Sequence, residues 1–248
     1  MVLVREKYPT AGPPEGKLLF CFPYGGAGAS LYRAWSPLLP TGIEVRPMQL
    51  PGRESRYREP LLASIDGLVK DLVGTFEPTP KGPFAFFGHS IGALIAFELT
   101  RELRHRNASG PALLVLSGYP APHLTRDRLR LSHLPTEVLL QSLEAGAEIS
   151  DELKAHPELL DLALPILRAD LEAVETYEYA PEPPLDCPIV ALSGSDDLGA
   201  SAAQMEAWAV HTRRAFRLHL FQGGHFFLNT SRLDVIATIA KAIGELGD

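Results

Sequence analysis

Cysteine is scarce: Cys21 and Cys187 are the only two in 248 residues. Two are too few for a disulfide framework, so both are expected as reduced thiols in or beside strands. Long apolar runs are missing as well. No stretch approaches the ~20 residues that a membrane span needs. The N-terminal MVLVREKYPTAGPPEG lacks the basic-then-apolar order of a signal peptide. A cytoplasmic protein with no membrane partner is therefore expected. Positive charge is in deficit, with 23 Lys and Arg against 30 Asp and Glu and a formal net charge of −7. That balance argues against a nucleic-acid partner, which would call for a basic face. The eight histidines show no pair at metal-ligand spacing, and there is neither a Walker loop nor a dinucleotide fingerprint. Neither a metal nor a cofactor is expected.

What is present is an ordinary globular composition, 46% hydrophobic and 21% charged, on a chain long enough for one large α/β domain. Apolar, β-prone runs at Lys17–Phe22, Glu44–Leu50, Phe84–Phe87, Ala112–Gly118, Ile189–Ser193 and Phe216–Phe221 read as strands. Helical stretches are expected at Ser30–Leu39, from Ser64 as N-cap to about Phe76, from Ala93 to Arg106, at Ala202–Thr212 and at Ser231–Leu246. About six strands alternating with helices imply a mostly parallel sheet covered on both faces. The alternation breaks between Tyr119 and about Glu182. That stretch holds helical patterns near Pro135–Ala145, Asp151–His156 and Pro157–Tyr177 but no convincing strand. The expected organisation is a single α/β domain over 1–248 with a helical lid insertion at 119–182, which is short for a free-standing domain.

The most informative stretch is Phe84–Gly92, FAFFGHSIG. Gly88-His89-Ser90-Ile91-Gly92 has the G-x-S-x-G spacing of a nucleophile elbow, between a buried strand and a run of good helix formers. The pentapeptide alone is a weak signal; strand, sharp turn and helix together make it a mechanism. Pro23-Tyr24-Gly25-Gly26-Ala27-Gly28-Ala29 follows the first strand, with three glycines in four positions. It is a flexible turn or the loop that supplies the second backbone N–H of an oxyanion hole. The two donors are assigned to Gly25 and Ile91. Two further strands end in Gly194-Ser195-Asp196-Asp197 and in Gly223-Gly224-His225. Ser90, an aspartate at 196 or 197, and His225 thus fall at strand ends in the chain order Ser…Asp…His. In such a triad the histidine takes the serine proton, and the aspartate fixes the imidazole tautomer. The Leu50–Arg58 loop, LPGRESRYR, is polar and charged and is expected to be exposed.

Six stretches give the chain a specific resemblance: FCFPYGGAGAS (Phe20–Ser30), LPGRESR (Leu50–Arg56), FGHSIGA (Phe87–Ala93), LRADLEAVETYEY (Leu167–Tyr179), CPIVALSGSDD (Cys187–Asp197) and FQGGHFFL (Phe221–Leu228). From Leu19 to about Leu246 it resembles the type II thioesterases of modular polyketide and non-ribosomal peptide synthetases. The resemblance implies an α/β-hydrolase fold and a Ser90, Asp197, His225 triad. It selects Asp197 because the family's acid is the fourth residue of a G-x-x-D turn. It also implies hydrolysis of acyl thioesters on the phosphopantetheine arm of acyl- or peptidyl-carrier proteins, by a monomer without cofactors. Two departures concern the pocket. Tyr24-Gly25 stands where the family often has a histidine-alanine pair, and Ala145–Leu153 (AGAEISDEL) departs from a Gly-Gly-Thr-rich form. The alternatives are a small-ester esterase or lipase of the same fold and a non-catalytic hydrolase-fold binding protein. By charge, Arg126, Arg128 and Arg130 and the Arg53–Arg58 loop are the surfaces that would meet an acidic carrier protein.

Overall fold

The computed structural model describes residues 16–76, 80, 82–124, 130–146 and 157–246. Among them are six strands: β1 (Lys17–Phe22), β2 (Ile43–Pro47), β3 (Phe84–His89), β4 (Leu113–Ser117), β5 (Ile189–Gly194) and β6 (Phe216–Phe221). They form one sheet in the order β2-β1-β3-β4-β5-β6. Every pairing is parallel. The helices are α1 (Ile65–Val73), α2 (Ile91–His105), α3 (Thr136–Ala145), α4 (Pro157–Glu175), α5 (Ala202–Glu206), α6 (Phe227–Thr230) and α7 (Arg232–Gly244). This is the architecture of the α/β-hydrolase fold.

The two-residue period of the strands divides the core into two layers. Leu18, Phe20, Phe22, Phe84 and Phe86 face Leu68 and Leu72 of α1 and Leu94 and Phe97 of α2. Leu19, Cys21, Phe87, Val115 and Leu192 face the other way, onto Tyr32, Trp35 and the Val235, Ile239 and Ile243 side of α7. Both cysteines are free and buried, Cys21 within β1 and Cys187 just before β5. Burial pushes both thiols up, Cys187 to about 12, which leaves them inert.

After β1 the chain moves outward to β2 and then crosses back to β3 on the other side of β1. This reversal makes the β1/β3 edge a topological switch point, where parallel α/β sheets bind ligands beyond the carboxyl ends of the strands.

Three local readings are refined. Ala29–Leu38 winds as a 3₁₀ helix containing Pro37. Proline cannot donate and clashes with the carbonyl four residues back. The tighter winding also aligns Tyr32 and Trp35, three residues apart, so that both are buried. The 202–212 stretch splits into α5 and a 3₁₀ segment, Ala207–His211. α5 starts at a capping box made by Ser201 and Gln204. Third, the Leu50–Arg58 loop is not simply exposed: Arg53 is 2% accessible. Its guanidinium forks onto Asp170 of α4, which removes it from any surface that could meet a partner. Arg56, in the same loop, binds Asp71 of α1 at 2.6 Å. At Ser64, by contrast, the expected N-cap forms, accepting the Gly67 N–H at 3.2 Å.

Between β4 and β5 the described residues hold α3 and α4 and no strand. Leu139 and Leu143 of α3 pack on Leu167 of α4 in a small apolar cluster of their own. The expected helix at Asp151–His156, and Arg126 and Arg128, lie outside the described residues, while Arg130 is exposed. Among the described residues, no helix is long and apolar enough to cross a membrane.

His211 carries a consequence for stability. It is 5% accessible, and its ring lies 5.1 Å from that of Phe97 and 5.3 Å from that of Trp208. Its Nε2 lies 2.8 Å from His123 Nδ1. Burial, followed by the nearby His123 and Arg101, pushes its pKa down to about 4. An unfolded histidine titrates near 6.5, so between about pH 6.5 and 4 the unfolded chain takes up a proton that the native state refuses. Stability is complete above this window and falls on acidification through it, by roughly 1–3 kcal/mol from this residue. Thermal melts at pH 7.5 and 4.5 should show the fall, and His211→Gln should flatten it. An unchanged pH dependence in that variant would refute the assignment.

Candidate active site

Strand β3 delivers Ser90 into a strained turn. The serine has φ 54° and ψ −127°, a left-handed conformation for a residue with a side chain. Its backbone N–H is held by the Ser117 carbonyl at 2.8 Å. The turn is possible only because its flanks are bare. A Cβ on Gly88 would lie 2.1 Å from the Gly92 carbonyl oxygen, and one on Gly92 would lie 2.3 Å from that of Phe22. The second contact brings the start of α2 against the end of β1. It thereby places Ser90 beside the glycine loop that follows β1.

The strands across the sheet supply the other two residues. The loops after β5 and β6 are laced together by Ser195 N–H to Phe221 O at 2.7 Å and Asp196 N–H to Gly223 O at 2.9 Å. This brings Asp197 Oδ2 within 2.9 Å of His225 Nδ1. Asp197 Oδ1 accepts the N–H groups of Gly199 and Ala200, at 2.9 and 3.1 Å. The neighbouring Asp196 is exposed, and its carboxylate accepts from the adjacent Ser195 hydroxyl, at 3.1 Å. Of the two aspartates the residue pattern left open, the structure therefore brings Asp197 to the histidine.

Ser90 and His225 line one cavity of about 120 Å³, together with Gly25 and Ile91, the two assigned N–H donors. Its apolar wall comes from Leu143 of α3, from Leu167, Leu171 and Val174 of α4, and from Tyr119. Tyr24, where the resemblance would favour histidine, packs edge-on to Phe226 at 5.1 Å and closes one side. The cavity thus lies at the switch point, beneath the helices inserted between β4 and β5. Among the described residues, no group of three side chains is placed to hold a metal ion.

Sequence reasoning passed over two features of this site. His89 is fully buried, its ring 4.9 Å from that of His225 and its Nδ1 2.8 Å from the Ser117 hydroxyl. Burial, and then the proximity of His225, holds its pKa well below the ordinary histidine value. It stays neutral and adds no positive charge beside His225. The second feature is the pair of Arg53 and Asp170, with side chains 1% accessible on each partner. Both belong to motifs singled out by resemblance, LPGRESR and LRADLEAVETYEY. Their membership of those motifs was the available signal, since no spacing rule joins residues 117 positions apart.

A family model for the thioesterase domain matches residues 17–243. The chain belongs to the thioesterase family. The linear gramicidin dehydrogenase LgrE of Brevibacillus parabrevis is 40% identical over 229 residues, covering 91% of this chain and 87% of that protein. Among solved structures, the thioesterase RedJ from the prodiginine pathway of Streptomyces coelicolor superposes with a TM-score of 0.85 at 36% identity, covering 94% of this chain and 91% of that one. The type II thioesterase BorB from the borrelidin biosynthetic cluster superposes with a TM-score of 0.85 at 35% identity, covering 93% and 94%. This thioesterase is accordingly a hydrolase acting on thioesters.

Proposed function

We propose that this thioesterase removes acyl groups from the phosphopantetheine arms of carrier proteins in polyketide or non-ribosomal peptide assembly, through an acyl-enzyme on Ser90. The observation that carries the reading is the 2.9 Å contact of His225 Nδ1 with Asp197, at the wall of the cavity that Ser90 also lines. With Nδ1–H donating to the carboxylate, Nε2 is free of a proton and is the base. Ser90 Oγ attacks the thioester carbonyl and gives its proton to His225 Nε2. The carbonyl oxygen becomes an oxyanion received by the Gly25 and Ile91 N–H groups. Collapse breaks the C–S bond, and His225 returns the proton to the leaving thiol. Water then gives a proton to His225 and attacks the acyl carbon; the bond from that carbon to Ser90 Oγ breaks, His225 returns the proton to Oγ, and the carboxylic acid is released. A thiol has a pKa near 8.5 and leaves readily. Catalysis therefore rests on activating the nucleophile and on the oxyanion donors more than on acid assistance.

The helices inserted between β4 and β5 serve as a lid, because α3 and α4 roof the cavity with leucines. The name of the gramicidin relative denotes a redox enzyme; the strained Ser90 and the aspartate–histidine contact favour acyl transfer here. Turnover of acyl-carrier proteins beside oxygen esters with matched acyl groups tests the reading. Acyl-carrier substrates should win by at least tenfold in kcat/KM. Equal or better turnover of the esters would favour an esterase of the same fold. Absence of Ser90 labelling by a fluorophosphonate would point to a binding scaffold.

A further inference from the structure

We infer that the buried pair of Arg53 and Asp170 positions the oxyanion loop, so that Asp170 acts on the reaction through the Gly25–Gly26 peptide. The inference rests on the reading of Gly25 as an oxyanion donor. Tyr24–Ala27 is a tight turn closed by Ala27 N–H to Tyr24 O at 3.1 Å, with φ +79° at Gly26. Turns of this size exist in two forms that differ by a flip of the central peptide, here Gly25–Gly26, and glycines remove the barrier of side chains to that flip. Asp170 Oδ2 accepts the Gly26 N–H at 2.9 Å. That bond selects one form, and the Gly25 N–H, one peptide upstream on the same turn, is held with it. The Cβ of Asp170 also lies 3.7 Å from the position a Cβ on Gly25 would take, so the aspartate backs the turn directly.

A carboxylate here raises an electrostatic problem, because Asp170 also lines the cavity in which the oxyanion would develop. Arg53 answers it. The guanidinium binds Asp170 through Nη1 to Oδ2 at 2.7 Å and Nη2 to Oδ1 at 2.8 Å, and it also donates to the Ala27 carbonyl at 3.2 Å. The fork cancels the negative charge while leaving Oδ2 in place to hold the loop. The rest of the Arg53 loop joins in. Gln49 accepts the Ala29 N–H at 3.2 Å and donates to the Arg53 carbonyl at 3.2 Å. Glu54 accepts the Ser30 N–H at 3.1 Å. Asp170 lies on α4, so docking of the proposed lid helix and orientation of the oxyanion loop are one event.

The test uses the full chain and a short acyl-pantetheine thioester, with kcat, KM and melting temperature measured together. Arg53→Met with Asp170→Leu replaces a buried ion pair by apolar groups of similar size, a change that is often neutral for stability. The double variant should melt within a few degrees of wild type, with kcat down by about 30–100-fold and KM changed less than about threefold. Asp170→Asn keeps one oxygen for Gly26 and for Arg53 Nη1 while losing the acceptor for Nη2, and should stay within about fivefold in kcat, whereas Asp170→Ala should lose about tenfold more than Asp170→Asn. A stable double variant that keeps over a third of wild-type kcat overturns the inference, as does a loss confined to KM. If the double variant does not fold, the Asn-to-Ala ratio decides, with a ratio near one overturning the inference. Wild type and Ser90→Ala serve as references. A tenth or more of wild-type activity in Ser90→Ala would overturn the reading of the site, while unaffected Asp170 variants of a Ser90-dependent enzyme overturn only the positioning role.

Discussion

Ser90→Ala should abolish thioester turnover, lowering kcat by about 10³-fold or more, because the members of a triad act as a unit. The fold should be untouched. Ser90 makes no side-chain cap on α2, and its N–H to the Ser117 carbonyl is a backbone bond that alanine retains. Alanine also keeps the positive φ of 54° and hence the strain of the elbow. Ser90→Gly should lose activity to the same degree yet melt higher than wild type, since glycine adopts this conformation freely. Steady-state kinetics and thermal melts of the two variants check both statements. An alanine variant with a tenth of wild-type activity would mean that Ser90 is not the nucleophile.

Asp197→Asn should lower kcat by roughly 10³–10⁴-fold, and Asp196→Asn by less than about threefold. The structure dictates which way an asparagine at 197 would face. One oxygen of Asp197 is committed to two backbone donors, Gly199 and Ala200, so the amide oxygen would take that place and the NH₂ would turn to His225. An N–H donor facing Nδ1 forces the imidazole proton onto Nε2, and the base is lost. The Asp196 side chain is exposed, and its carboxylate bonds to the neighbouring Ser195 hydroxyl and not to His225. The measurement is kcat for both variants, with circular dichroism to confirm folding. Comparable, mild losses in the two would remove Asp197 from the mechanism.

Much of this was legible because it is local. FAFFGH, LLVLS and IVALSG are apolar on both alternating faces, which only a strand buried on both sides can use. Ser64 announces the start of α1, and its cap forms. The elbow could be read from five residues because its constraint, absence of Cβ at Gly88 and Gly92, is met by near neighbours and by the end of β1. Reading failed where the outcome depends on distant partners. Arg53 sits in a polar run and reads as solvated; its burial is decided by Asp170, which lies on a helix that folds back over the sheet. His89 reads as a spacer in the elbow, and only the packing of the loop after β6 places it beside His225. Ser30–Leu39 reads as an ordinary helix, and the tighter winding of Ala29–Leu38 follows from Pro37 and from burying Tyr32 and Trp35 together.

Sequence alone determined the strand–helix alternation, the elbow and the order Ser90, an aspartate at 196 or 197, then His225, because hydrophobic period and turn chemistry act over a few residues. Tertiary structure decided which aspartate meets the histidine, what roofs the cavity and what holds the glycine loop. Those outcomes depend on the parallel register that aligns the strand ends and on the return of α4 over the β1/β3 edge. A charge near a site becomes an orienting device only once packing has excluded water and fixed its partner. For Asp170 that partner is 117 residues away in sequence and 2.7 Å away in space.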